Sequence, residues 1–129
     1  MSLQDTDASA AAVAKAPRVS LLDIERNIAH RFDLTAAQAI ANLGVDPPAS
    51  LNVLSICILV TKNGFTVIGK SAPAAEENYD RDLGKRFAFE DAVRQLWPLM
   101  GYALRDRLWS DSYDKDNVWR ERRIYSGQD

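Results

Sequence analysis

The segment most suggestive of chemistry is Gly64–Ser71, which reads GFTVIGKS. It matches the G-x-x-x-x-G-K-[ST] pattern of a phosphate-binding loop, in which backbone amides, a lysine and the start of a following helix hold phosphates. The context does not suit that role. The four middle residues favour a strand, and Pro73 follows where a helix would have to begin. We therefore interpret the segment as part of a β-hairpin and do not expect nucleotide hydrolysis.

Other side chains that could act as a nucleophile, base or ligand are few and scattered. The single cysteine, Cys57, lies in an apolar run, and the single histidine, His30, lies in a segment that we interpret as the first helix. A zinc site or a catalytic pair needs more such groups close together. The neighbouring carboxylates Glu76-Glu77 and Glu90-Asp91 show no sign of converging in one pocket, as acid–base catalysis requires. The sequence thus predicts no catalytic residue, no metal and no cofactor.

Aromatic and arginine side chains are the remaining candidates for binding. Tyr79, Tyr102 and Arg105 could together form an aromatic platform and a cation for a nucleotide-like ligand. A second group of arginines near the C-terminus could instead contact a nucleic acid backbone, although aspartates are interleaved with them. Its members are Arg105, Arg107, Arg120, Arg122 and Arg123. Residues 20–44 suggest a helix-turn-helix, but the second helix of that pair lacks Lys and Arg.

Length and composition narrow the class of protein. The chain has 129 residues, a formal net charge of -2, 47% hydrophobic and 26% charged residues. These values are typical of one ordinary globular domain and do not favour binding to nucleic acid or an anionic membrane. No signal peptide is expected, and the longest apolar stretch, about ten residues, is too short to cross a bilayer. A lone cysteine fits a reducing cytoplasm.

The pattern along the chain predicts three parts. Residues 1–18 are expected to be a disordered tail, residues 19–109 a single α+β domain, and residues 110–129 a polar C-terminal tail. Within the domain, Ser20 should cap a first helix whose apolar stripe extends to Phe32. A second short helix should end at Gly44.

The second half of the domain should contain a hairpin and a long helix. Residues 52–61 predict a buried strand, and Asn63-Gly64 predicts a two-residue type I′ turn that pairs Val60 with Val67 and Ile58 with Gly69. A long helix from about residue 79 to about residue 109 should follow, kinked near Pro98. Its inward residues should be Leu83, Phe87, Val93, Leu96, Trp97, Met100, Leu104 and Leu108.

These elements define an α+β fold: N-terminal helices and an antiparallel β-hairpin, or small sheet, packed against a long kinked C-terminal helix. A hairpin that is apolar on both faces needs covering on both, and one helix covers only one. The N-terminal helices or the hairpin edge of a second subunit could cover the other face. We therefore expect a homodimer.

The second half of the chain resembles a family of small tailed-phage and prophage proteins, the phage gp-forty-nine / gene-sixty-six family. The resemblance lies in an Asn-Gly-Phe turn, a Gly-x-Ser-Ala strand end, an Asn-aromatic-Asp helix start and a Leu-Trp-x-Leu-x-Gly-Tyr helix segment. Pro73, Met100 and Tyr79 stand where Cys, Glu and Phe are common in that family. The residues that carry the motifs are Asn63, Gly64, Phe65, Gly69, Asn78, Asp80, Trp97 and Gly101.

The resemblance implies a phage or prophage accessory protein that acts in the host bacterial cytoplasm, and it implies no enzymatic activity. We expect a non-enzymatic protein that binds and interferes with a host component. It could be an anti-defence factor that acts on a host protein or sequesters a small nucleotide-like signal. A nucleic-acid-binding accessory factor is the alternative.

Overall fold

A three-stranded antiparallel sheet with a long helix on one face organises the chain. The computed structural model describes the backbone of residues 2–126 and the side chains of residues 2–112. The sheet has the order β1-β2-β3, and 3-10 turns at Ala49–Val53 and Glu76–Asn78 lead into β2 and α4. In chain order the elements are α1 (Leu3–Val13), α2 (Leu21–Asn27), β1 (Ile28–Thr35), α3 (Ala36–Ala41), β2 (Ser55–Thr61), β3 (Thr66–Ser71) and α4 (Arg81–Ser126). The expected α+β class is confirmed.

The first strand replaces the second half of the predicted first helix. α2 ends at Asn27, and His30 and Phe32 lie on β1, opposite Val60 and Ile58. The helical stripe from Leu21 was continued too far, because the alternation of polar and apolar residues after position 29 is a strand pattern. A strand between α2 and α3 also rules out the helix-turn-helix interpretation of residues 20–44.

The hairpin loop between β2 and β3 has three residues instead of the predicted two. The Gly64 N–H donates to the Thr61 carbonyl at 2.9 Å, and the Thr61 N–H donates to the Phe65 carbonyl at 2.8 Å. Of the three loop residues only Gly64 takes a positive φ, +85°, whereas a type I′ turn would also need one at Asn63. The Asn63 side chain accepts a hydrogen bond from the Phe65 N–H at 3.1 Å instead.

The extra loop residue shifts the register of β3 by one. Leu59 lies opposite Val67, and Cys57 lies opposite Gly69, so the predicted partners of Gly69 and Val67 were wrong. A shift of one residue exchanges the two faces of a strand. Val67 therefore lies on the same face as Cys57 and Leu59. That face is the buried one, and it carries Ser55, Cys57, Leu59, Thr61, Val67 and Gly69.

Helix α4 covers this face through small side chains. A Cβ added to Gly69 would overlap the carbonyl oxygen of Ala88 and lie 2.5 Å from the amide nitrogen of Ala92. The helix therefore approaches the sheet closely at Gly69. Leu83 and Phe87 were predicted to point inward and do not, since they are 44% and 47% exposed.

The part of α4 around Pro98 contacts the N-terminal half of the chain. The helix is continuous past Pro98. Val93 and Leu96 are buried, and the Trp97 Nε1–H donates to the Val19 carbonyl at 3.1 Å. These contacts place α2 beside α4 at the end of the sheet that holds the hairpin loop.

The N-terminal residues differ from the expected disordered tail. Ser2 caps α1, and Leu3 is buried in the core, although residues 4–12 offer no other large apolar side chain. Asp7 accepts hydrogen bonds from Arg18 at 2.9 Å and from the Leu21 N–H at 3.1 Å. One anchor and one carboxylate thus attach α1 to the start of α2. The side chains of most of the predicted polar tail, residues 113–129, lie outside the described residues.

No described helix has a stretch that is both long and apolar enough to cross a membrane.

Candidate functional site

A cavity of about 270 Å³ lies where β1, the start of β2 and the start of α4 meet. α4 packs mainly on β2 and β3, and space is left between it and the C-terminal end of β1. The lining is mainly polar and comes from distant parts of the chain: Asp33, Leu34, Thr35, Gln38, Asn52, Ser55, Tyr79, Arg81 and Lys85.

Local sequence fixes the start of α4 at this cavity. The Asp80 Oδ1 accepts hydrogen bonds from the N–H groups of Asp82 and Leu83, both at 3.0 Å, and so caps the helix. Gly84 lies against the hydroxyl of Ser55 with no room for a Cβ, and a Cβ there would be 3.4 Å from the Tyr79 ring. The helix start is therefore pressed onto the first residue of β2, with Tyr79 beside it.

The charged side chains that line the first cavity are two cations and one carboxylate. Arg81 and Lys85 are four residues apart, so they lie on the same side of α4. The carboxylate on the opposite wall, Asp33, is paired with the Arg31 Nε at 3.0 Å. The Arg31 guanidinium also lies 4.1 Å from the centroid of the Phe89 ring. The carboxylate is thus partly neutralised, and two cations border the cavity near the positive end of a helix dipole.

A second cavity, of about 190 Å³, adjoins the first through Tyr79. Its walls are more apolar and include Pro73, Leu83 and Phe87, together with the polar Asn78. The exposed positions of Leu83 and Phe87, which looked unfavourable on a core helix, are explained by this cavity. Tyr79 thus lines both a polar compartment with two cations and a more apolar one.

The arrangement provides binding groups and lacks a nucleophile held by a base. Neither of these two cavities is lined by a cysteine or a histidine. Cys57 is buried on the helix-facing side of β2, and its burial raises the pKa of the thiol to about 11. His30 lies on the open face of the sheet, where it stacks on Phe32 with ring centroids 6.2 Å apart. Among the described residues no group of three or more His, Cys, Asp or Glu side chains could hold a metal ion.

Of the three predicted ligand-binding residues, only Tyr79 lies at the two cavities. Tyr79 lines both cavities. Tyr102 is 75% exposed, and it lies roughly 30 Å farther along the helix by the 1.5 Å rise per residue, with Arg105 one turn beyond. Arg81 and Lys85 were not predicted as site residues, although their spacing of four directly after Tyr79 was a usable signal. Asp33 could not be placed here from the sequence, because it lies in a segment that was predicted to be helical.

The motif residues fall into two groups. Asn78 and Asp80 line the second cavity, and Gly69 permits the close approach of α4 to the sheet. The others are distant from it: Asn63 and Gly64 in the hairpin loop, Phe65 at a separate apolar cavity of about 230 Å³, and Trp97 and Gly101 farther along α4.

The described fold and cavities define a small α+β protein with a cleft beside its sheet. The chain belongs to the Phage protein (N4 Gp49/phage Sf6 gene 66) family, whose model matches residues 19–108. The matched region begins just before α2 and includes the whole sheet, so the resemblance found in the second half of the sequence extends over β1 as well. Comparison with curated proteins and with solved structures gave no significant match.

Proposed function

We propose that this protein is a phage or prophage accessory protein that binds a small ligand of the host without transforming it. The ligand class is a molecule with a planar ring and at least one phosphate, that is, a nucleotide-like signal. By removing such a signal from solution the protein would interfere with a host response. The observation that carries the proposal is the position of Tyr79 between a cationic cavity and an apolar one.

The chemistry of the lining supports this ligand class. Arg81 can donate two parallel hydrogen bonds to a phosphate, and Lys85 adds a second cation on the same helix face. The Tyr79 ring, with Phe87 nearby, offers an apolar surface for a planar group. The combined volume of the two cavities, about 460 Å³ from 270 and 190 Å³, falls within the usual range for small-molecule sites.

The same lining supports binding over catalysis. Its one carboxylate on the β1 wall, Asp33, is held by Arg31, and the Asp80 carboxylate caps α4. General acid–base catalysis needs a group free to exchange a proton with the reacting atoms. A host protein as the target remains a competing form of the proposal, and the experiment below separates the two.

The test begins with the purified full chain incubated in host lysate and recovered, with co-purifying small molecules and proteins identified by mass spectrometry. Calorimetric titration with a panel of linear and cyclic mono- and dinucleotides then measures direct binding. We expect a phosphate-bearing metabolite to be captured, and we expect Tyr79→Ala and Arg81→Ala to weaken its binding by about tenfold or more each.

Tyr102→Ala and Arg105→Ala are the matched controls. They remove the same two residue types from a distant part of α4, and neither residue lines the two cavities. Equal losses in the control and the cavity variants would contradict the proposed site. Recovery of a stoichiometric host protein with no metabolite would contradict the ligand class.

The alternative, a nucleic-acid-binding accessory factor, depends on Arg120, Arg122 and Arg123, whose side chains lie outside the described residues. Its signature would be binding that weakens steeply with salt concentration.

A further inference from the structure

The two edges of the sheet differ in whether side chains of α4 bond to their backbone groups. On the outer edge of β3, the Asp91 Oδ2 accepts from the Lys70 N–H at 2.9 Å, and the Gln95 Nε2 donates to the Ile68 carbonyl at 2.6 Å. Two side chains one turn apart on α4 thus occupy a donor and an acceptor that another strand would need. This edge is closed to strand addition.

The other edge, formed by β1, is open. Within the described sheet β1 pairs only with β2. The strand has eight residues, and the five from 29 to 33 are all exposed. A strand of this length with a free row of N–H and C=O groups is a template for pairing with another strand.

The outward-facing groups of β1 can be assigned from the hydrogen-bond pattern. In an antiparallel sheet the backbone groups of successive residues point alternately to the two neighbouring strands. Ile68 and Lys70 point away from β2, so Val67 points towards it, and its partner Leu59 points towards β3. Ile58 therefore points towards β1 and bonds with Phe32. By the same alternation the free groups of β1 are those of Arg31 and Asp33.

This alternation limits the ways in which two copies of β1 can pair about a two-fold axis. In any such pairing Arg31 and Asp33 must each belong to a hydrogen-bonded pair, whose other member is an outward-facing residue of the second copy. Centring the axis on Phe32 sets Arg31 opposite Asp33 of the partner subunit, twice. Moving the axis by one residue in either direction sets two arginines or two aspartates opposite each other, which is unfavourable. The sequence His30-Arg31-Phe32-Asp33-Leu34 is thus self-complementary in one register.

We propose that β1 is a homodimer interface, in which two copies pair in antiparallel fashion about an axis at Phe32 and form a continuous six-stranded sheet. The two Phe32 side chains meet as a non-hydrogen-bonded pair, the closer type of antiparallel pair. Each side of the axis carries one Arg31–Asp33 pair between subunits. The proposal rests on the sheet edge alone and does not depend on the ligand of the Tyr79 cavity.

The first test exchanges charges between subunits. Arg31→Asp places two carboxylates opposite each other, and Asp33→Arg places two guanidinium groups opposite each other. Each variant alone should dimerise at least about tenfold more weakly than the unaltered chain. An equimolar mixture of the two variants should form a heterodimer, because every cross-strand pair is again opposite in charge. Sedimentation velocity with one variant fluorescently labelled measures this.

The mixture distinguishes a loss of the dimer interface from a loss of folding. The pair between Arg31 and Asp33 within one chain is lost in both variants, so its loss cannot explain recovery on mixing. Circular dichroism of each variant checks that it remains folded. A monomeric unaltered chain at up to roughly 100 µM, or variants that dimerise like the unaltered chain, would overturn the proposal.

Cysteine cross-linking provides an independent readout. The Cα atoms of a non-hydrogen-bonded pair are about 4.5 Å apart, within the range that a disulfide spans. Phe32→Cys should therefore oxidise to a covalent dimer, whereas Leu34→Cys, on the same strand and face, should not. Ile68→Cys tests the competing face-to-face dimer through the open apolar face. Cross-linking at position 68 and not at position 32 would overturn the edge pairing.

Discussion

Gly69 lies directly beneath the backbone of Ala88, so close that a Cβ on Gly69 would overlap the Ala88 carbonyl oxygen. This approach lets α4 rest on β2 and β3 through alanines, and it sets the height of the helix above the sheet. The width of the cleft beside β1, where Tyr79, Arg81 and Lys85 lie, follows from that height. A position without a side chain therefore shapes the candidate site from a distance.

Gly69→Ala should lower the free energy of unfolding by roughly 2–3 kcal/mol, because the added methyl group forces the helix away from the sheet. Gly101→Ala is the matched control: nothing lies within 4 Å of its Cβ position. There alanine should stabilise α4 by about 0.5–1 kcal/mol through its higher helix propensity. Urea denaturation measures both, and equal effects would contradict the close approach.

Gly64→Ala should destabilise the hairpin, since Gly64 has a φ of +85° and alanine there costs about 1–2 kcal/mol. Nothing lies within 4 Å of its Cβ position, so the cost is conformational and not steric. Gly64→Asn should therefore recover part of the loss, because asparagine tolerates the left-handed region better. Thermal unfolding of the two variants compares them, and an alanine variant as stable as the original chain would contradict the turn geometry.

The attachment of α1 should weaken in acid. The hydrogen bond from the Leu21 N–H, followed by that from Arg18, lowers the pKa of Asp7 below its ordinary value of 3.8. A lowered folded-state pKa means that the stabilisation is present above the unfolded-state value and is lost as the pH falls through the folded-state value. The protection of residues 3–13 against amide hydrogen exchange, relative to an unfolded peptide at the same pH, should therefore fall below about pH 4.

Asp7→Asn should accelerate that exchange at neutral pH as well and should reduce its dependence on pH. Asp23→Asn is the control, because the pKa of Asp23 is also lowered, first by the Ser20 N–H and then by the Ser20 hydroxyl, but within the capping box of α2. Its effect should centre on α2. Exchange in α1 that is unchanged by Asp7→Asn would contradict the docked helix and favour the disordered tail.

Cys57 should be unreactive in the folded protein. Its side chain is fully buried, and burial raises the pKa of the thiol from 9.0 to about 11. The thiolate is the reactive form, so a disulfide reagent such as DTNB at pH 8 should modify Cys57 only after denaturant is added. Because the folded-state pKa is raised, stability should also decline as the pH rises from 9 towards 11. Rapid labelling without denaturant would contradict this placement.

Lys70→Ala and Lys85→Ala distinguish the two interpretations of a phosphate site. Lys70 is an exposed residue of β3 whose N–H bonds to Asp91, and the next α-helix begins only at Arg81. Its replacement should leave nucleotide binding unchanged. Lys85→Ala should weaken the binding of any captured phosphate ligand by about tenfold. The opposite result, measured by calorimetry, would restore the phosphate-binding loop.

The local features of this protein could be predicted from its sequence. The cap of α2 at Ser20, the hairpin at Gly64, the strand nature of β2 and β3 and the start of α4 at Asp80 all follow from short-range sterics and hydrogen bonding. The family resemblance rested on these same local motifs, which is why it could be recognised from half of the chain.

Which elements and side chains lie next to each other depends on long-range packing and could not be predicted locally. β1 is a strand because β2 offers an edge, and that preference outweighs the helical stripe that begins at Leu21. The buried face of α4 is lined by alanines because Gly69 removes the obstacle opposite them, so large apolar residues such as Phe87 were left at a cavity. Asp33 and Lys85 meet across a cleft that neither local segment encodes. Contacts between residues far apart in sequence depend on packing, and packing is fixed only when the whole chain has folded.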